Sequence, residues 1–301
     1  MSNAERRIVR AAAAVFVLAA AGLAASPPPE AKVKIMATIF PLQEFARAVG
    51  GDLAETRLLI PPGAEIHSWQ PRVSDIKTLA TELGLFLYIG PSLEPWAEGL
   101  LKGVARPGLK VLEAGRGLDL IRGDEEAFDP HIWLDFTQDL VIVDRIAAEL
   151  AGLRPASAAF FRANAEAYKA KLRALDDRYT KALRGCRGRM LLVGGHAAFG
   201  YLARRYGLVQ TAVYGASPDA APAPRIMVGI VARAKAGGVK TVFYEPGTGD
   251  RMARVLAGEI GAEVRPLHPG HNLPRSSAAG LTFLEMMDRN LEVLTDGLGC
   301  R

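Results

Sequence analysis

The chain carries five histidines among 301 residues, and their surroundings are unusual. His67 lies in Gly63-Ala-Glu-Ile-His-Ser-Trp-Gln-Pro71 and His131 in Asp129-Pro-His-Ile-Trp-Leu-Asp135. His196 lies in Gly194-Gly-His-Ala-Ala-Phe-Gly200, and His268 and His271 share Leu267-His-Pro-Gly-His-Asn-Leu273. Each is at the end of an apolar run or in a Pro/Gly-flanked loop, and none is inside a long helical pattern. Loops held by a rigid scaffold are where binding groups collect. Neutral imidazole is the commonest protein metal ligand. A lone loop histidine is ordinarily just solvated or hydrogen-bonded, so the chemistry rests on their joint placement.

The elements that must position them follow from apolar periodicity. Short β-type runs at 33–39, 56–60, 85–89 and 110–113 alternate with helical patterns at 40–49, 75–83 and 94–102. That βαβα rhythm predicts a parallel sheet covered on both faces. Residues 137–153 then read as one amphipathic helix. Residues 156–183 read as another, free of Gly and Pro, with Phe160, Phe161, Ala165, Tyr168, Leu172, Leu175 and Tyr179 at helical intervals. At ~1.5 Å per residue it is ~40 Å long, a strut between two lobes. The βα rhythm resumes with strands at 190–193, 209–214, 241–244 and 263–267, and helices at 199–206, 224–236, 251–260 and 281–296. The expected fold is α/β: two parallel-sheet lobes, residues 26–154 and 186–301, joined by one long rigid helix at 155–185.

Ligands of parallel α/β sheets bind outside the carboxyl ends of the strands. His67 follows the strand 56–60 after a turn, His196 follows 190–193 almost at once, and His268 follows 263–267 directly. His131 is in the loop after the first lobe's last strand. Two histidines from each lobe thus meet at the sheet edges, and four nitrogens suit a tetrahedral ion such as zinc. Imidazole favours Zn, Cu or Ni over hard ions. His271, three residues past His268, is an additional or alternative ligand. Glu245, ending the strand 241–244, is either a further ligand or an acceptor behind an imidazole. Trp69 and Trp133 follow two of the histidines by two positions and either wall the site or simply pack. Asp135 reads as a helix N-cap. There is no phosphate loop, no Gly-x-Ser-x-Gly elbow and no His-Glu-x-x-His, so no catalytic residue is assigned.

The formal charge of +5 includes a net +2 from Glu5, Arg6, Arg7 and Arg10, leaving about +3 for the rest. No basic run with interleaved aromatics appears, so nucleic acid is not an expected partner. Residues 1–25 read as a signal peptide: basic residues, an apolar stretch at 11–23, then small residues for cleavage. No cysteine follows that stretch, so no lipid anchor is expected, and the periplasm is the expected compartment. Such a compartment permits a disulfide between Cys186 and Cys300, although sequence does not show them to be close.

These residues together resemble the zinc/manganese-binding proteins of bacterial ABC importers, the cluster A-I solute-binding family. The resemblance runs from Val33 to Leu298. It is carried by Ile39-Phe-Pro-Leu, Leu59-Ile-Pro-Pro-Gly-Ala-Glu-Ile-His-Ser-Trp-Gln-Pro, Ile89-Gly-Pro-Ser-Leu-Glu-Pro-Trp, Asp129-Pro-His-Ile-Trp-Leu-Asp, Gly195-His-Ala-Ala-Phe-Gly and Val242-Phe-Tyr-Glu-Pro. It implies Rossmann-like lobes, one long connecting helix, and a metal between the lobes that is delivered to a membrane permease. It carries the ligand role to His67, His131 and His196. Histidine in the third place implies zinc rather than manganese. The family's fourth ligand is an aspartate after the last strand. Here Leu267-His-Pro-Gly puts His268 in that place, with His271 and Glu245 as alternatives. Many zinc members also insert a His/acid-rich loop where this chain has only 114–128.

The leading expectation is therefore a monomeric Zn²⁺ receptor of an ABC importer. The rivals are a manganese-binding member of the same family, a secreted zinc hydrolase using three histidines with Glu245 as base, and an adhesin or metal buffer unattached to any importer.

Overall fold

The computed structural model describes residues 31–123, 128–215, 224–271 and 280–300; the expected signal segment lies outside these. The first sheet is built from β1 (Val33–Ala37), β2 (Ala54–Leu58), β3 (Leu85–Tyr88) and β4 (Lys110–Glu113), all parallel, in the order β2-β1-β3-β4. The second repeats the plan. It contains β5 (Met190–Val193), β6 (Val209–Ala212), β7 (Thr241–Tyr244) and β8 (Glu263–Pro266), parallel, in the order β6-β5-β7-β8. Helices α1 (Phe40–Gly50), α2 (Val73–Thr81), α3 (Ala97–Val104) and α4 (Phe136–Leu153) accompany the first sheet. The long α5 (Ala158–Arg184) leads to the second, with α6 (Gly200–Tyr206), α7 (Pro224–Ala236), α8 (Arg251–Ile260) and α9 (Phe283–Gly297).

Side chains alternate across a strand, and each sheet uses its two faces differently. Ile35, Ala37, Leu85 and Leu87 of the first sheet face a core that also takes Leu191, Val193 and Phe243 of the second. Met36, Phe86 and Tyr88 turn outward onto a separate core with Leu79, Ala97 and Val104 of α2 and α3. Leu192 and Val242 likewise turn outward onto Ile230, Ala234 and Leu256 of α7 and α8. The shared core is filled by α5, whose buried face is Phe161, Ala165, Tyr168, Leu172, Leu175, Tyr179 and Leu183. The strut is therefore packed along its length, and Lys32–Arg301 is one compact unit.

Local chemistry explains the element ends that matter for the site. Asp135 caps α4 by accepting from Thr137 N at 3.1 Å. Thr282 and Glu285 form a capping box on α9. Cys186, just past α5, is disulfide-bonded to Cys300 at the end of α9, tying the strut to the chain's last helix. Among the described residues no helix is long and apolar enough to cross a membrane.

Candidate metal centre

In a parallel sheet whose crossovers diverge on either side of one strand pair, the carboxyl ends of that pair open a crevice. In the second sheet the pair is β5 and β7. His196 lies three residues past β5 and Glu245 one residue past β7. The turn at Gly194 must be glycine: a Cβ there would stand 2.5 Å from Cα of Ala253 in α8. The close approach of α8 thus sets where the His196 turn leaves the sheet.

Across from it, His131 is completely buried. Its backbone N donates to Oδ1 of Asp129 at 2.9 Å, and its Nδ1 lies 2.7 Å from the same oxygen. A carboxylate at Nδ1 fixes the tautomer and leaves Nε2 as the free lone pair. That Nε2 faces Nε2 of His196 at 3.2 Å. On its other side His196 has Nδ1 3.1 Å from Oε2 of Glu245. The contact is an ion-pair distance, and Oε2 is a buried oxygen without a hydrogen-bond partner. His67, half-buried in the loop after β2, completes the group. Its ring centre is 5.4 Å from that of His131 and 5.2 Å from that of His196. Its Nε2 is buried with no hydrogen-bond partner. One ligand nitrogen from each of His67, His131 and His196 lies within 4.8 Å of the others.

This geometry fits a small cation. If both rings carry their protons on the outer nitrogens, the two Nε2 lone pairs face each other at 3.2 Å, and a cation beside them would relieve the repulsion. Zn–N bonds of about 2.0–2.1 Å arranged tetrahedrally give N···N edges of about 3.3 Å, close to the observed separation.

The turn after β8 differs from the expectation for His268. Asn290 of α9 clamps its backbone, accepting from His268 N at 2.9 Å and donating to His268 O at 2.6 Å. Nδ1 of His268 accepts from Gly270 N at 3.3 Å, and Nε2 is buried and unpartnered. Among the described residues no ring pair joins His268 to the trio. His271 is the residue that turns inward. Its ring centre is 6.0 Å from His196, 6.1 Å from His131 and 6.4 Å from His67. Its Nε2 lies 3.0 Å from Oε1 of Glu245, and its Nδ1 is buried without a partner. The turn is held in that pose from the first lobe: Phe40 N donates to His271 O at 3.2 Å, and Trp133 Nε1 to Pro269 O at 2.7 Å.

Burial and neighbouring rings favour the neutral form of His67, His131 and His268. Desolvation, then the neighbouring histidines, lower His67 to about 2. Burial lowers His131 despite the opposing pull of Asp129. Burial, then His271, lowers His268 to about 4. Burial alone would raise Glu245, but His271 and His196 more than offset it and hold its carboxyl below the usual range.

Residue reasoning from sequence gave Asp129 no role, although it stands two residues before His131 in an Asp-Pro-His turn, the spacing that lets one carboxylate hold both the backbone and the ring. Phe40 and Asn290 carried no such signal, because their roles are made by contacts far along the chain.

The ZnuA family model, described as zinc-uptake complex component A, periplasmic, matches residues 35–297. The chain belongs to this family. Zinc-binding protein AdcA of Streptococcus pyogenes is 32% identical over 289 residues, which cover 88% of this chain and 56% of that protein. The chain thus spans little more than half the length of that relative. Among solved structures, the laminin-binding protein Lmb of Streptococcus agalactiae, described as bifunctional with adhesin and metal-transporting activity, superposes with a TM-score of 0.81. It is 32% identical, over 89% of this chain and 99% of that one. The Zn(II)-bound ZnuA-like domain of Streptococcus pneumoniae AdcA gives a TM-score of 0.78 at 30% identity, over 89% and 99% of the two chains. The two-lobed α/β fold with its long connecting helix is shared with these structures, and the family is one of transport components rather than enzymes.

Proposed function

We propose that this protein is the metal-capturing receptor of an ABC zinc importer, exported through residues 1–25, which binds one Zn²⁺ between its lobes and releases it to a membrane permease. His67, His131 and His196 are the ligands on this reading. His271 completes the set, in place of His268. The observation that carries it is the convergence of three imidazole nitrogens within 4.8 Å, two of them on rings whose outer nitrogens face buried carboxylates. The zinc-bound relative of the same fold supports the choice of ion. Nitrogen donors favour zinc over manganese, a hard ion that gains little from imidazole. On this reading the two carboxylates stand behind the rings rather than among the ligands, and Glu245 is not a free base.

Calorimetry on chelator-treated protein tests the reading. One Zn²⁺ per chain and far weaker Mn²⁺ are expected. Tighter Mn²⁺, or zinc binding that survives replacement of all three histidines by alanine, would overturn it. Restoration of growth in low zinc when the gene is supplied with its permease would test delivery.

A further inference from the structure

Glu245 is the residue whose place in the sheet is hardest to explain by packing. It is 7% exposed and directly follows β7. Strand β7 pairs with β5 on one side, Phe243 beside Val193, and with β8 on the other, Tyr244 beside Pro266. His196 lies three residues past β5 and His271 five residues past β8. A side chain at the end of β7 is therefore the one that stands between both histidine turns. Pro246 follows, and a residue before proline is held extended, so the backbone does not curl the carboxylate away.

We propose that Glu245 is a positioning residue for the metal centre. One carboxylate orients two imidazoles, and with Asp129 it supplies the negative charge that a divalent ion among neutral histidines requires. This rests on the metal-receptor reading. The contacts are 3.0 Å from Oε1 to His271 Nε2 and 3.1 Å from Oε2 to His196 Nδ1. They set a carboxylate oxygen beside the outer nitrogen of each ring, an ion-pair contact rather than a hydrogen bond at His196. His196 then presents Nε2 to the centre, where it already faces His131 Nε2. His271 presents Nδ1, the buried nitrogen without a hydrogen-bond partner. The charges also balance. Bringing a dipositive ion into a buried site against neutral ligands alone is costly, because an uncompensated charge in a low dielectric is poorly solvated. Asp129 behind His131 and Glu245 behind His196 and His271 bring two negative charges at one remove, leaving the first contacts to nitrogen.

The test compares the full chain with Glu245→Gln and Glu245→Asp by zinc competition against a chromogenic chelator, with histidine-ring ¹⁵N spectra of the metal-free and zinc-loaded forms. Glutamine loses the charge and turns an amide N–H toward one imidazole donor, so a fall of roughly 10–100-fold in zinc affinity is expected. Aspartate keeps the charge but is too short to reach both rings, so it should recover part of that loss. In the metal-free parent His196 should carry its proton on Nδ1. In the zinc-loaded parent the bound nitrogens should be Nε2 of His196 and Nδ1 of His271. Affinity of Glu245→Gln within about threefold of the parent, or zinc bound through Nε2 of His271, would overturn the proposal. Should the glutamine variant melt early without metal, the ring-nitrogen assignment in the parent decides alone. A parent that binds no zinc would instead sink the receptor reading, so the two failures are distinguishable.

Discussion

Each lobe sets a glutamate beside the crevice between its two central strands, and the two carboxylates behave oppositely. In the first sheet the strands that flank the crevice are β1 and β3, and Glu94 closes it. Its Oε1 accepts from Thr38 Oγ1 at 2.5 Å, and its Oε2 from the backbone of Ile89 at 3.1 Å and of Gly90 at 3.0 Å. In the second sheet the corresponding carboxylate is Glu245, and its neighbours are imidazoles. Burial raises Glu94 to about 7, against the pull of those hydrogen bonds; Glu245 is held low by His271 and His196, which outweigh its burial. A carboxylate answered by neutral dipoles of its own lobe staples loops together. One answered by titratable rings couples to whatever those rings hold. Each crevice has its carboxylate, and the partners decide the use.

The largest effect expected from breaking this contrast is at His196. His196→Ala removes a ligand nitrogen and leaves Glu245 a buried carboxylate with one of its two imidazoles gone. Zinc affinity should drop by a thousandfold or more, about 4 kcal/mol. The metal-free protein should also lose stability, because Glu245 stays buried while one of the two rings beside it is gone. Competition binding and urea denaturation check both. Equal stability of the metal-free forms would mean that Glu245 does not depend on the ring.

The next effect belongs to Glu94 and is a pH effect. Its carboxyl is raised from 4.5 to about 7 in the folded state, so the fold favours the protonated form. The stabilisation is full below about pH 4.5 and is lost as pH rises through about 7, a swing of about 3 kcal/mol. Glu94→Gln removes the titration and keeps an oxygen for the backbone donors. Relative to the parent, the variant should gain stability steadily from pH 4.5 to 7 in urea melts, and hold the gain above. A difference independent of pH would show that Glu94 stays charged in the fold.

Much of this contrast was legible in the residues and some was not. Strands β3, β5 and β7 and helices α7 and α8 match their apolar patterns closely, because both faces of those strands are largely buried and the helices carry one clear apolar stripe. The helix α3 begins at Ala97 rather than at 94, because Glu94 is spent on the loop hydrogen bonds just described. The strand β2 begins two residues early at Ala54, where pairing with β1 overrides weak local propensity. At the site, the strand-end positions of His67, His131 and His196 are local facts and could be read. The choice between His268 and His271 depends on Asn290, Trp133, Phe40 and Glu245, which lie between 22 and 231 residues away, so no local pattern could decide it.

Asp129 gives a smaller effect and sharpens the comparison within the site. Its carboxylate lies two residues before the ring it serves, whereas Glu245 is 49 residues from His196. Asp129→Asn should keep a contact at Nδ1 of His131 but lose the charge, weakening zinc by roughly 10–100-fold. If the charges of Asp129 and Glu245 act together on one ion, the double variant with Glu245→Gln should depart from additivity, which a double-mutant cycle measures. Strict additivity would mean that each carboxylate orients only its own rings.

The smallest expected effect is at His268, where sequence reasoning placed the fourth ligand. The residue lies two places past β8, and Pro269 holds the chain just beyond it, which made it the natural candidate. In the fold those same features hold it out of the cluster: Asn290 pins its backbone on both sides and its Nδ1 turns back to Gly270 N. The chain then needs Gly270, at φ 82°, to swing His271 inward. His268→Ala should therefore bind zinc within about threefold of the parent, while His271→Ala loses roughly 10–100-fold, a range typical of residues that complete or support a metal site. Gly270→Ala should resemble His271→Ala, because a Cβ there meets Met287 Cε at 3.1 Å and Trp133 Nε1 at 3.3 Å on a backbone that favours glycine. The reverse order, with His268→Ala the weaker binder, would mean that this turn rearranges around the metal and that the inward pose of His271 belongs to the metal-free state.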